Sequence, residues 1–375
     1  MKVVIAIDSL KGSLTSIEAG YAVKTGILRT KPDARIIVKP LADGGEGTTD
    51  ALIEGLGGER IYITVDGPFK KPISTYYGYL PASNTAIIEM ASAAGITLIA
   101  DDEKDPFTAT TYGVGEMIKD AIEKGCRKFI IGIGGSATND GGIGMLKALG
   151  YQFLDADGND VGEGGQALEK IASVDISNAC KTLAECDFQI ACDVTNPLCG
   201  PNGATYIYGP QKGVTLATRE ILDAGMHNYA EITTGATGTN HLNSPGAGAA
   251  GGLGYAFLSY LNARLTPGIS LILDAVNLEA ELYDADIVIT GEGRLDHQTV
   301  MGKAPIGVAQ LAKKYNLKVI AFAGSVTEDA TVCNAAGIDA YFPIIRGITT
   351  LEEALDPQTA KNNMIGTVEQ VFRLL

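Results

Sequence analysis

Acidic, basic and hydroxyl side chains in this chain recur inside glycine-rich turns, the combination that phosphate and metal chemistry requires. Asp8, Ser9 and Lys11 stand in DSLKGS (8–13), and Asp43 and Glu46 in ADGGEGTTD (42–50). Ser136 and Asn139 stand in GIGGSATNDGG (132–142), and Glu292, Arg294 and Asp296 in GEGRLD (291–296). GAGAAGGLG (246–254) is a further glycine-rich loop; CDVTNP (192–197) offers Asp193 and GPQKG (209–213) offers Lys212. Glycine lets backbone N–H groups approach an anion closely, and a helix N-terminus behind the turn adds partial positive charge. Lys11 can hold a phosphate or a carboxylate, with Asp8 orienting it. Asp43 and Glu46 suit Mg²⁺, which takes one or two acidic ligands plus substrate oxygens, and Asp43 can instead accept a hydroxyl proton. Each segment also has a plain structural use, because Asp, Ser and Gly are ordinary capping and turn residues.

One motif points to a different chemistry. Gly132, Gly134 and Ala137 match the G-x-G-x-x-A dinucleotide fingerprint, and Asp155 follows 18 residues later. That spacing supports an NAD(P)-dependent oxidoreductase as the rival enzyme class. Against it, the next helical stretch starts only behind Asn139–Gly142, whereas a Rossmann helix begins within the motif. A non-catalytic small-anion-binding protein is a third reading. No GxxxxGK[ST] loop is present, since Gly302–Lys303 is followed by Ala304. His227, His241 and His297 form no ligand set, and no Ser/His/Asp pairing is suggested by local spacing.

The elements that must position these groups read as alternating strands and helices at both ends of the chain. Val3–Ile7 is a short apolar run of the kind buried on both faces of a sheet. Thr15 and Glu18 make a capping-box pair opening a helix to about Arg29. The spacing predicts a strand over 35–38, a helix over 46–56, strands over 287–290, 318–323 and 341–344, and a helix over 304–315. Such alternation predicts a parallel sheet covered on both faces, whose crevice lies at the carboxyl ends of the strands. Residues 60–65, 74–80 and 86–90 read as strands without helices between them, hence antiparallel. The fold class expected is α/β: a split, doubly wound parallel-sheet domain (1–66 plus 266–375) with a second, mixed α/β domain inserted (67–265).

Composition narrows the classes further. The chain has 375 residues, 46% hydrophobic and 19% charged, with 47 glycines. The net charge of −15 disfavours nucleic acid and anionic membrane as partners. The uncharged stretch 240–263 is mostly Gly, Ala, Ser and Asn, which reads as a segment buried in protein. No apolar run near the start has the length of a secretory signal, and the six cysteines contain no close CxxC pair, so reduced thiols in a cytoplasmic protein are expected.

At these residues the chain resembles the bacterial type-1 glycerate kinase family. The matching stretches are DSLKGS, LADGGEGT, GIGGSATNDGG, CDVTNP, GPQKG, PGAGAAGGLG, TGEGRLD and Gly302–Lys303, in family order. Ile7, Leu10 and Gly12 replace the Pro, Phe and Glu usual at the start, while Asp8, Ser9, Lys11 and Ser13 remain. The resemblance implies ATP-dependent phosphorylation of D-glycerate, generally to 2-phosphoglycerate, with 3-phosphoglycerate as the alternative product. It also implies a flavodoxin-like domain with an inserted second domain, and an active-site cleft between the two. ATP and Mg²⁺ are the cofactors expected and D-glycerate the small-molecule partner; association into a homo-oligomer is compatible with the sequence. On that footing Lys11, Asp43, Asp193 and Arg294 are the catalytic candidates. Asp8, Ser9, Glu46, Lys212 and Asp296 are candidates for substrate binding, and Asp193 and Glu292 for the metal. Gly134, Gly135, Ser136 and Asn139, with Gly248, Gly251 and Gly252, are candidates for cradling the nucleotide phosphates.

Overall fold

A computed structural model describes residues 1–375. The chain forms thirteen strands. The first two are β1 (Lys2–Ile7) and β2 (Arg35–Pro40). Then come β3 (Glu59–Asp66), β4 (Pro72–Leu80), β5 (Thr85–Glu89), β6 (Lys128–Gly132), β7 (Gln152–Leu154), β8 (Ser173–Asp175), β9 (Asp187–Ala191) and β10 (Arg264–Thr266). The last three are β11 (Ile287–Leu295), β12 (Lys318–Val326) and β13 (Ala340–Pro343). They fall into two compact units, one comprising 1–43, 50–58 and 268–375 and the other 44–49 and 59–267.

The first unit holds a five-stranded sheet in the order β13-β12-β11-β1-β2. Every pairing is parallel. Counted within the unit this is the 2-1-3-4-5 order of flavodoxin-like folds, which places the topological switch point between β1 and β11. Val3, Val4, Ile5, Ala6 and Ile7 are wholly buried, as a central strand covered on both faces demands. The helix Ser16–Leu28 begins where its capping box indicates: Thr15 Oγ1 accepts from Glu18 N at 3.2 Å and Glu18 Oε2 accepts from Thr15 N at 2.9 Å. It packs with the C-terminal helix Pro357–Phe372 over one apolar cluster.

The second unit holds a mixed six-stranded sheet in the order β10-β9-β6-β5-β4-β3. β3, β4 and β5 pair antiparallel, as the helix-free spacing of 60–90 predicts, and β5, β6, β9 and β10 pair parallel. Because β3 pairs with β4 along its whole length, the chain leaves the first unit at Gly58, eight residues before the expected boundary. β7 and β8 form a separate two-stranded hairpin. All six cysteines are free. Within 240–263 the helix Ala249–Tyr260 packs into this unit's core, and no helix is long and apolar enough to cross a membrane.

Candidate active site

Ladder geometry brings the first unit's polar groups to one end of its sheet. Asp8 follows β1 directly, and its N–H donates to Gly291 O at 2.9 Å, which continues the β1–β11 pairing past the last strand residue. Asp8 and Glu292 therefore flank the switch point on neighbouring strands. GEGRL is not a loop, as its glycines suggest, but the second half of β11, in register with β12 from Gly291↔Phe322 to Leu295↔Val326. Glycine is required there by a close approach: a Cβ on Gly291 would lie 1.8 Å from Phe322 O.

Four carboxylates and three cations sit on these strand ends. Asp8 is buried, and burial, reinforced by the negative charge of Asp43, pushes its carboxyl up to about 7; the Ser9 N–H bond at 2.7 Å and the Lys11 charge only partly offset this. Glu292 is raised too, first by burial and, among its neighbours, by Asp296 and Asp43. Thr299 Oγ1 donates to Glu292 Oε1 at 2.7 Å, and Lys303 Nζ lies 3.7 Å from Glu292 and 3.8 Å from Asp296. Arg294 Nε lies 3.5 Å from Asp296, with most of its guanidinium exposed. Asp296 caps the short turn 297–301 by accepting from Gln298 N at 2.9 Å, while Thr299 Oγ1 accepts from Asp296 N. Lys11 is exposed. Buried or partly buried carboxylates whose charges act on one another, beside Lys303 and the exposed Lys11 and Arg294, form a set that can take up a proton and neutralise a phosphoryl group.

The second unit supplies a different kind of surface. The turn 133–142 follows β6 and is held from beneath. Ile96 N donates to Gly135 O at 2.8 Å, and Ala137 N donates to Ala94 O at 2.9 Å. Ser136, Thr138, Asn139 and Asp140 are buried, whereas Gly134 and Gly135 are exposed and a Cβ on Gly134 would meet nothing within 4 Å. Asn139 faces inward, donating to Thr205 Oγ1 at 3.1 Å, so of the expected cradle only Gly134 and Gly135 offer open backbone. The Gly44–Thr49 turn also clusters with this unit, and Glu89 at the end of β5 accepts from Gly47 N at 3.3 Å and Thr49 N at 2.8 Å. Glu46 in that turn is exposed, and so is Asp193 behind β9.

Three sequence expectations need correction. Gly248, Gly251 and Gly252 form no open loop. Ala250, Gly251 and Gly252 adopt left-handed φ (52°, 66° and 90°) in a buried, kinked start to the helix Ala249–Tyr260. A Cβ on Gly251 would lie 2.0 Å from Thr138 O, and Gly141 N donates to Gly251 O at 2.9 Å; on Gly248 it would lie 2.2 Å from Pro197 O. Gly251 and Gly252 are consumed by packing against the backbone of the 133–142 turn, and Gly248 by packing against Pro197. Lys212 does not reach outward either: it is 2% exposed and its Nζ donates to Ser136 Oγ and Thr138 O, each at 2.7 Å. Finally, the dinucleotide fingerprint lacks its frame. The helix behind it, Ile143–Ala148, starts only after the left-handed Gly142, and Asp155 lies in the turn directly after β7, accepting from Asp157 N and Asn159 N.

Three participants escaped the sequence reading. Glu89 reaches the 44–49 turn from 40 residues away, which no local spacing reveals. Thr299 stands three residues behind Asp296, and the D-x-x-T spacing is itself a capping-box signal. Asp140 is buried inside the noticed GGSATND motif and accepts from Thr111 N, Thr111 Oγ1, Gly142 N and Gly144 N.

Comparison with known proteins agrees with this arrangement. The family model described as "Glycerate kinase family" matches residues 3–375. A glycerate kinase of Bacillus subtilis is 46% identical over 356 residues, covering 95% of this chain and 93% of that protein. A glycerate 2-kinase of Escherichia coli is 46% identical over 354 residues, covering 94% and 93%. The crystal structure of a putative glycerate kinase 2 from Salmonella typhimurium superposes with a TM-score of 0.92 at 45% identity, over 100% of this chain and 98% of that one.

Proposed function

The chain belongs to the glycerate kinase family, and from that premise we propose that it transfers the γ-phosphoryl group of ATP to the 2-hydroxyl of D-glycerate, in the cytoplasm. Phosphorylation of glycerate follows from the family. The 2-position is supported by the relative named glycerate 2-kinase.

The observation that carries the assignment of roles is the pair Asp8 and Glu292 astride the switch point, one poised to titrate near neutrality and the other beside Lys303. Asp8 accepts the proton of the substrate hydroxyl as its oxygen bonds to phosphorus and the bond from phosphorus to the ADP oxygen breaks. Asp43 raises the basicity of Asp8 by its charge. Lys11, Arg294 and Lys303 hold the glycerate carboxylate and the transferring phosphoryl group, with Ser9 as a further polar contact. Gly134 and Gly135 offer backbone N–H groups to the nucleotide phosphates. Asp193, exposed on the second unit, is the rival base.

Mg²⁺ fits Glu292 and Asp296. No three His, Cys, Asp or Glu side chains are grouped as a metal cage, but this ion ordinarily takes one or two carboxylates and leaves its other positions to water and phosphate oxygens. When bound it supplies positive charge to the phosphates.

The test is ³¹P NMR of the product made from D-glycerate and MgATP. Phosphorus on O2 couples to the one methine proton and gives a doublet, whereas phosphorus on O3 couples to a methylene and gives a triplet. A doublet is expected, and a triplet assigns the 3-hydroxyl instead.

A further inference from the structure

Lys212 is a buried cation without a carboxylate partner. Its Nζ donates only to neutral oxygens, Ser136 Oγ and Thr138 O. The opposite charge it feels is that of Asp140, which four N–H and O–H donors already occupy. Burying an ammonium this way is unfavourable, and it lowers the Lys212 pKa to about 7. A position that disfavours charge yet holds a lysine invites a counter-charge from outside. Its partner Ser136 directly follows Gly134 and Gly135, which are exposed.

We propose that Lys212, acting through the Ser136 hydroxyl, is the positioning residue of a phosphate subsite at the Gly134–Gly135 turn. Ser136 Oγ accepts from Lys212, so its own proton is free to point away from the amine. A phosphate at the turn receives that O–H and the exposed backbone N–H groups, and it supplies the charge that the buried ammonium lacks. The hydrogen bond to Thr138 O fixes the far side of the same turn, so one side chain sets both the shape and the polarity of the subsite. This rests on the reading that the turn holds nucleotide phosphate. It adds where the positive charge comes from, given that no exposed Lys or Arg stands within the 133–142 sequence.

The test is calorimetric titration of the full-length protein with ADP, using Lys212→Met, Lys212→Arg and Ser136→Ala, with circular dichroism to check folding. Loss of ADP affinity by about tenfold or more is expected in Lys212→Met, with a smaller loss in Ser136→Ala. The KM for glycerate should stay within about twofold, a split that general loosening of the fold would not give. Ser136→Ala keeps the bond from Lys212 to Thr138 O and so serves if Lys212→Met does not fold. Lys212→Arg keeps the charge and should recover part of the affinity. Unchanged ADP affinity in folded Lys212→Met or Ser136→Ala overturns the inference. If Gly135→Val also leaves ADP affinity unchanged while the wild type remains a glycerate kinase, the phosphates are held elsewhere and the underlying assignment fails with it.

Discussion

Asp8 shows what a residue inherits from its neighbours. Its position after the first strand was legible in DSLKGS, but its chemistry was not, because the causes are its burial by the fold and then the charges of Asp43 and Glu292, 35 and 284 residues along the chain. A carboxyl whose pKa rises from 3.8 to about 7 on folding binds its proton more tightly in the folded state. Its contribution to stability is fully present below pH 3.8 and is lost as the pH climbs through about 7. Asp8→Asn should therefore melt higher than wild type at pH 8, by up to about 4 kcal/mol of stability, with the difference vanishing below about pH 4. Thermal unfolding at both pH values checks this, and equal pH dependence in the two proteins contradicts it. In turnover, the same variant should lose about 10²-fold or more, and wild-type kcat/KM should rise through about pH 7 as Asp8 ionises. If Asp193→Asn shows that loss and Asp8→Asn does not, the base is Asp193. The hydroxyl of Thr299 and the carboxylate of Glu89 show the limit of local reading: one was a visible capping box, the other a contact made only by the fold.

Glycine misleads at the level of elements because one residue type serves two ends. GEGRLD and GAGAAGGLG both read as open loops. The first is a strand in which Gly291 lets Phe322 O come close, and the second is a buried kink in which Gly251 touches Thr138 O. Gly134 in the 133–142 turn and Gly47 in the 44–49 turn do stay open, with nothing within 4 Å of a Cβ at either. The capping box at Thr15, the apolar run of β1 and the helix-free spacing of β3 to β5 were legible because their causes are local. The distinction has a measurable consequence. Gly251→Ala adds a methyl against Thr138 O at a left-handed φ of 66°, and should cost about 2 kcal/mol or more of stability. Gly134→Ala places its methyl in open space, so stability should change by less than about 1 kcal/mol while the KM for ATP rises several-fold. Denaturant titration and steady-state kinetics on the two variants separate the roles; a destabilised Gly134→Ala with a normal KM for ATP reverses the assignment.

The whole molecule consists of two compact units that the chain enters and leaves more than once. The first carries the flavodoxin-like strand order and the carboxylates; the second carries the glycine turn over Lys212. Strand–helix alternation at both ends of the chain is the ground for expecting a split domain, and 1–43, 50–58 and 268–375 cluster as one compact unit. The excursion of 44–49 could not be read from the sequence, because it depends on Glu89 capping that turn. With a net charge of −15, binding of two anionic substrates would have to rely on local cations, and the proposed function assigns that task to Lys11, Arg294 and Lys303. The reaction itself is directly measurable. Coupled ADP release should be negligible with MgATP alone and should rise in proportion to added D-glycerate, with one ADP per glycerate consumed. ADP release that does not depend on D-glycerate would contradict the proposed function.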